Sequence, residues 1–270
     1  MKSLHQKDFF DVLLKKKVSI QVIDYPSLLF NFITEINNED IKIETMNIVV
    51  LSGAGISAES GINTFRDSNG LWEGHDVMSV ASPQGFSKDP ALVLDFYNQR
   101  RKQLNEVSPN KAHKALAELE LKYTVHIITQ NVDDLHERAG STNVTHLHGE
   151  LYKARSIHNE HEIYEWKKDL NLGDVNKHNH QLRPHIVWFG EAVPKMDEAI
   201  ELVHKAAIVI VVGTSMQVYP AAGLLQYAKH KTPIYFVDPK PAIDSSDRIT
   251  VFAEKATTGI PKAIELIEKL

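Results

Sequence analysis

Three groups of residues in this 270-residue chain have types and spacings that support chemistry. The first is Ser52-Gly53-Ala54-Gly55-Ile56-Ser57, directly after the apolar run Ile48-Val49-Val50-Leu51. A strand that ends in Gly-x-Gly and opens a helix lets the backbone approach a pyrophosphate, with free N–H groups at the helix start facing the anion. Gly61 comes too late for G-x-G-x-x-G, and no Gly-Lys-Ser/Thr follows, so a plain tight turn of small residues is the alternative. Arg66, in Ile62-Asn63-Thr64-Phe65-Arg66-Asp67, has the reach for a phosphate or ribose; a surface ion pair is its ordinary fate. The second group is Gln130, Asn131 and Asp133, at the carboxyl end of the apolar Val125–Thr129. Amides and a carboxylate there suit a small polar ring or a ribose. Equally, Asn131 or Asp133 serves to cap a short helix over Asp134–Ala139. The third is His148, after the short run Val144-Thr145-His146-Leu147. An imidazole takes up a proton near neutral pH, which suits a general base acting on a ribose hydroxyl. The chain has 14 histidines, most of them necessarily structural or solvated, and His146 competes for the role.

The elements that must position these residues follow from periodicity. β-branched strands over Ile48–Leu51, Val125–Thr129, Val144–His146, Ile208–Val212 and Ile234–Val237 alternate with amphipathic helices. The helices are expected over Ala91–Glu106, Pro109–Leu121, Met196–Ala206, Ala222–Lys229 and, with Pro in its first turn, Pro261–Leu270. Such alternation predicts an α/β fold with a doubly wound parallel sheet. Residues 150–183 are polar and histidine-rich and break the rhythm, as a small inserted module would. Residues 1–45 carry no chemical motif and read as an N-terminal extension, helical around Asp8–Lys17 and strand-like over Val18–Ile23. Met46 is an alternative start, with 46–270 as the catalytic domain.

Composition narrows the class. The net charge of −5 argues against a nucleic-acid partner. No apolar run is long enough for a membrane span, and the acidic N-terminal stretch makes a poor secretory signal. A cytoplasmic protein is expected. With no cysteine, disulfides, thiolate catalysis and Cys-ligated zinc are excluded.

Taken in order, five segments resemble the sirtuin family. Gly53-Ala54-Gly55-Ile56-Ser57-Ala58-Glu59-Ser60-Gly61-Ile62 with Phe65-Arg66 is similar to its NAD signature, and Thr129-Gln130-Asn131-Val132-Asp133 with Leu135-His136 to its nicotinamide pocket. Leu147-His148-Gly149 is similar to its catalytic signature. Arg183-Pro184, Val187-Trp188-Phe189-Gly190-Glu191 and Val212-Gly213-Thr214-Ser215 with Val218-Tyr219-Pro220 complete the set. The resemblance covers about Asn47 to the C-terminus. It implies a Rossmann-like NAD domain with a smaller module above it, and a reaction between NAD and an acylated lysine of a protein substrate. By that resemblance the acyl oxygen attacks the ribose C1′ and expels nicotinamide. His148 then activates a ribose hydroxyl, and free lysine and O-acyl-ADP-ribose result. Gln130, Asn131 and Asp133 line the nicotinamide and ribose pockets. Gly53, Ala54, Gly55, Phe65 and Arg66 border the same cleft, while Gly213, Thr214 and Ser215 hold phosphate and adenosine. Val187, Trp188, Phe189 and Gly190 add the substrate to the enzyme as a strand. Tyr97 and Arg100, at i and i+3 on a predicted helix, resemble the Tyr-x-x-Arg of the desuccinylase and demalonylase branch and imply that acidic acyl groups are accepted beside acetyl.

The chain departs from that family in two places. Where most members hold structural zinc with four cysteines, it has His158, His161, His178 and His180. A polar, metal-free hairpin is expected there, and no zinc; an all-histidine site is the other option. Phe236 stands where the family commonly has Asn, leaving Asp238 as the candidate ribose contact. Alternatives to a deacylase are a mono-ADP-ribosyltransferase, an NAD hydrolase and an NAD-binding sensor. The oligomeric state is left open, a monomer being one option.

Overall fold

A computed structural model describes residues 46–63, 71–214, 216 and 219–270. The extension over 1–45, with the helix and strand expected in it, lies outside the described residues, as do Phe65, Arg66 and Ser215.

Ile48–Leu51, Ile208–Val212 and Ile234–Val237 are buried end to end and Val125–Thr129 mostly so, the pattern of strands covered on both faces, while Val144–His146 at the sheet edge is half-buried. They form β1 (Asn47–Ser52), β4 (Thr124–Thr129), β5 (Val144–His146), β9 (Ile208–Val212) and β10 (Ile234–Val237). With β11 (Ile249–Phe252), which periodicity did not reveal, they make a six-stranded parallel sheet of order β11-β10-β9-β1-β4-β5. From β1 the chain winds outward through β4 and β5, then returns to β9 on the other side. The switch point therefore lies between β1 and β9.

The helices in chain order are α1 (Val77–Val80), α2 (Pro83–Lys88), α3 (Pro90–Glu106), α4 (Lys111–Leu119), α5 (Leu135–Ala139), α6 (Met196–Lys205) and α7 (Ala256–Ile267). Alternate strand residues face opposite layers. Ile48, Val50 and Ile210 pack on Leu116 of α4 and Ile260 of α7. Val49, Leu51, Val209 and Val211 pack on Val203 of α6 and on Leu224. Helices on both faces make this the Rossmann-like, doubly wound class.

The small module is a three-stranded antiparallel sheet, β7-β6-β8, from β6 (Gly149–Ser156), β7 (Ile163–Glu165) and β8 (Leu182–Ile186). Its apolar face meets α1 and α3 through Leu151, Ile186, Trp188, Phe96 and Tyr97. A two-residue hairpin, β2 (Leu71–Trp72) with β3 (His75–Asp76), flanks this cluster. Ring contacts bring His180 to His158 (4.5 Å between centroids) and to His178 (6.1 Å). Among the described residues no group of three or more His, Asp or Glu is arranged to hold a metal ion. Nor is any described helix long and apolar enough to cross a membrane.

Two expected elements differ. Pro261 lies inside α7, because the helix starts five residues earlier; Glu59 accepts hydrogen bonds from the Thr257 N–H (3.1 Å) and hydroxyl (2.9 Å) at that start. The segment expected to be helical over Ala222–Lys229 is a 3-10 stretch, Ala221–Tyr227.

Candidate active site

The Gly-rich turn leaves β1 at the switch point but opens no α-helix. It continues as two 3-10 turns, Ala54–Ile56 and Ala58–Ser60. Their tight hydrogen bonds consume the amides expected to face an anion. Gly55 N–H donates to the Gly213 carbonyl (2.8 Å), Ile56 N–H to Gly53 and Ser57 N–H to Ala54. The glycines answer chiefly to the chain itself. A Cβ on Gly55 would sit 2.6 Å from Gly213 Cα, and one on Gly53 2.8 Å from Thr214 Cβ. Gly213, at φ +61°, returns the close approach from the end of β9. The loops after β1 and β9 are thus locked together as one wall of the crevice.

The loop after β4 forms the opposite wall. Gln130 N–H bonds the Ser52 carbonyl (2.9 Å), and Gln130 Nε2 donates to Thr214 Oγ1 (3.1 Å), tying the two walls. Asn131 Nδ2 donates to Ser57 Oγ (3.1 Å), and that hydroxyl donates to Asp133 Oδ2 (3.0 Å). Asp133 Oδ1 accepts the Leu135 N–H at the start of α5 (3.2 Å), while the N-cap position itself is Asp134, without a side-chain cap bond. Burial raises the Asp133 pKa to about 6, against the Leu135 and Ser57 hydrogen bonds. Ser57 is the central member of this chain; its only sequence signal was its place in the Gly-rich run.

His148 follows β5 on the same side. Its Nδ1 lies 3.0 Å from the Gln130 carbonyl oxygen. A carbonyl only accepts, so Nδ1 carries the hydrogen and the lone pair of the neutral ring is on Nε2. Burial pushes the His148 pKa down, and the Gln130 bond only partly opposes it.

Val187–Gly190 is not an open strand edge. The Val187, Trp188 and Phe189 N–H groups donate to the His148 carbonyl (2.9 Å), Glu191 Oε2 (2.8 Å) and the Ala81 carbonyl (2.9 Å). Gly190, at φ +89°, turns the chain so that Glu191 can reach back to Trp188. Glu191 also accepts from Arg183 Nη1 (2.6 Å) and Arg155 Nη2 (3.1 Å), while Arg183 lies flat on the Trp188 ring (3.2 Å). In this conformation the N–H ladder of an added strand is engaged within the chain.

Tyr97 is fully buried, its hydroxyl accepting the Trp188 indole N–H (3.0 Å) and keeping its own hydrogen to donate; burial pushes its pKa up. Arg100, three residues on along α3, lies over the Phe96 ring (5.0 Å), with Nε and Nη1 buried and without a hydrogen-bond partner among the described residues. Asp238, at the carboxyl end of β10, is buried and accepts the Lys240 N–H (2.8 Å). Phe236 is a core residue of the same strand.

A Rossmann-like sheet whose switch point is lined by amides, a buried carboxylate and a half-sheltered histidine defines a nucleotide-binding enzyme domain. Comparison with known proteins narrows the class. The Sir2 family model matches residues 53–220, and the chain belongs to that family. It is 66% identical over 194 residues to a Helicobacter pylori protein named NAD-dependent protein deacylase, covering 72% of this chain and 85% of that one. A Bacteroides thetaiotaomicron protein of the same name is 52% identical over 228 residues, covering 82% and 97%. Among solved structures, a Sir2 homolog–NAD complex superposes with a TM-score of 0.72 at 39% identity, over 84% of this chain and 91% of that one. A Sir2 homologue bound to ADP ribose gives 0.74 at 38%, over 84% and 93%.

Proposed function

We propose that this chain is an NAD-dependent protein-lysine deacylase with His148 as its general base. The observation that carries the reading is the His148 Nδ1–Gln130 carbonyl contact of 3.0 Å at the switch-point crevice. It fixes the tautomer, burial keeps the ring neutral, and the Nε2 lone pair is left to take a proton from a hydroxyl.

The donor set fits NAD. A carboxamide needs an acceptor and a donor together, which Asp133 and Asn131 supply; Ser57 holds both in register. Gln130, fixed to Thr214, faces the ribose. Gly213 and Thr214, with Ser215, are assigned to the phosphates and adenosine, Gly53, Ala54 and Gly55 to the border of the cleft, and Asp238 to the second ribose; Phe65 and Arg66 keep the roles that the family resemblance implies. When bound, NAD supplies the activated ribosyl carbon that receives the acyl oxygen. Trp188 and its neighbours hold the acyl-lysine, pinned from behind by Arg183 and Glu191.

Arg100 favours an acidic acyl group. Its two buried nitrogens have no hydrogen-bond partner among the described residues and, three positions along α3 from Tyr97, suit the carboxylate of a succinyl or malonyl chain. Mass spectrometry of acetyl-, succinyl- and malonyl-lysine peptides with NAD tests the reading. O-acyl-ADP-ribose is expected, and its absence with all three refutes deacylation. His148→Ala should abolish turnover. Arg100→Met should reduce desuccinylation by about 30-fold or more, the loss of a charge-assisted pair, with deacetylation little changed; equal losses refute the receptor role.

A further inference from the structure

His146 has no part in the chemistry proposed above, yet it is built into the same loop. It ends β5, two residues before His148. Its Nδ1 lies 3.0 Å from the Asn131 carbonyl oxygen and its Nε2 2.7 Å from Glu137 Oε1 on α5. Both partners are acceptors: a carbonyl has no hydrogen to give, nor has an ionised carboxylate. Two acceptors are satisfied together only by an imidazolium. A neutral ring must face one of them with a lone pair, and the full charge of Glu137 keeps the hydrogen on Nε2. The contact surrendered on deprotonation is therefore the one to Asn131.

The surroundings favour the charged ring. Glu137 on α5, Glu150 on β6 and Asp133 in the loop bring negative charge, while Lys153 on β6 opposes it and burial keeps His136 on α5 neutral. Asp134, Glu165 and Lys167 line the crevice over the pair. Burial acts against the imidazolium, but the Glu137 hydrogen bond and charge outweigh it and hold the His146 pKa above the usual histidine value, with Glu137 correspondingly below the usual carboxylate value.

We propose that His146 is a positioning residue for the nicotinamide end of the NAD site: as an imidazolium it fastens the Asn131 carbonyl to α5, and loss of its proton loosens the Gln130–Asp133 loop and weakens NAD binding. This rests on the NAD reading of the crevice. Two histidines, two residues apart, then hold successive peptide groups of one loop: His148 the Gln130 carbonyl as a neutral donor, His146 the Asn131 carbonyl as a charged one.

The test is NAD affinity against pH by calorimetry on the full chain without acyl-lysine, with histidine NMR titrations assigned through His146→Gln. The His146 ring should titrate above about 6.5. NAD affinity should fall about tenfold as pH rises through that pKa, the size of one charge-assisted hydrogen bond. Glu137→Gln should shift both the ring titration and the affinity drop to lower pH, and His146→Gln should remove the drop. If NAD binding follows this pattern while no deacylation occurs, the positioning role stands and the deacylase reading falls. If deacylation proceeds but NAD affinity ignores pH or Glu137→Gln, the positioning role is overturned alone. A His146 ring titrating at or below about 6.5 overturns it without reference to NAD.

Discussion

Replacing Glu191 with alanine should destabilise the chain more than its place at the edge of a turn suggests. Its carboxylate accepts from Arg183 at 2.6 Å, Arg155 at 3.1 Å and the Trp188 N–H at 2.8 Å. The Arg155 and Arg183 side chains are only 7% and 8% exposed, so Glu191→Ala takes the carboxylate from Arg183 and leaves Arg155, among the described residues, with only the exposed Glu160 at 4.0 Å. Breaking a buried ion pair from one side costs about 3–5 kcal/mol. Glu191 itself is 21% exposed, and water will reach part of the gap. The lower end, about 3 kcal/mol, is the expectation, which for a domain of this size is a fall of roughly 6–12 °C in Tm. Urea unfolding followed by fluorescence measures it, with Glu191→Gln falling between the two. The pairing holds the Glu191 pKa below the usual carboxylate value even though burial acts the other way. Its stabilisation is therefore present above the unfolded carboxyl pKa and lost as pH falls through the folded one, so wild type and Glu191→Ala should converge in acid. A loss under about 1 kcal/mol at neutral pH, or a gap that does not shrink in acid, refutes the reasoning.

Gly55→Ala forces a Cβ against the Gly213 backbone, which cannot swing aside; it should cost about 1–3 kcal/mol and lower NAD affinity, and a variant with native stability and affinity counts against the locked loops. His113, edge-to-face with His136 (4.9 Å between centroids), has its pKa lowered from 6.5 to about 4 by burial. Its contribution is whole above 6.5 and is lost as pH falls towards 4, by about 1.4 kcal/mol per pH unit; His113→Gln should flatten that slope, and an unchanged slope in urea midpoints refutes the assignment. Because burial lowers the His148 pKa, the acid limb of kcat/KM should lie below 6.5, and a limb above it argues for another base.

Strands were legible where burial is two-sided: Ile208–Val212 and Ile234–Val237 read directly, since a covered strand is apolar throughout. The small module's strands were not, because a one-sided sheet of polar and histidine-rich segments has weak alternation. Pro261 misplaced the start of α7 because the stabilising group, Glu59, is nearly 200 residues distant in sequence. The Gly-rich turn was legible, but one reason for its glycines was not. Its spacing suggested approach to a ligand; the close packing of Gly55 on Gly213 is a second demand for small residues that the spacing does not show. Residue types identified Asn131, Asp133 and His148, but not the Ser57 bridge or the His146–Glu137 pair, which exist only once β5 and α5 are side by side.

The joint between His148 and β6 has a further consequence. Gly149, at φ +83°, is the first residue of the small module, packed against the His185 backbone, and it is covalently next to the histidine of the site. The histidine-rich tip, where His158, His178 and His180 gather, lies at the other end of β6 from the imidazole. The near end is what ties the module to the crevice: the Val187 N–H, just past β8, bonds the His148 carbonyl, so the histidine of the site and the chain leaving β8 are fastened at one point.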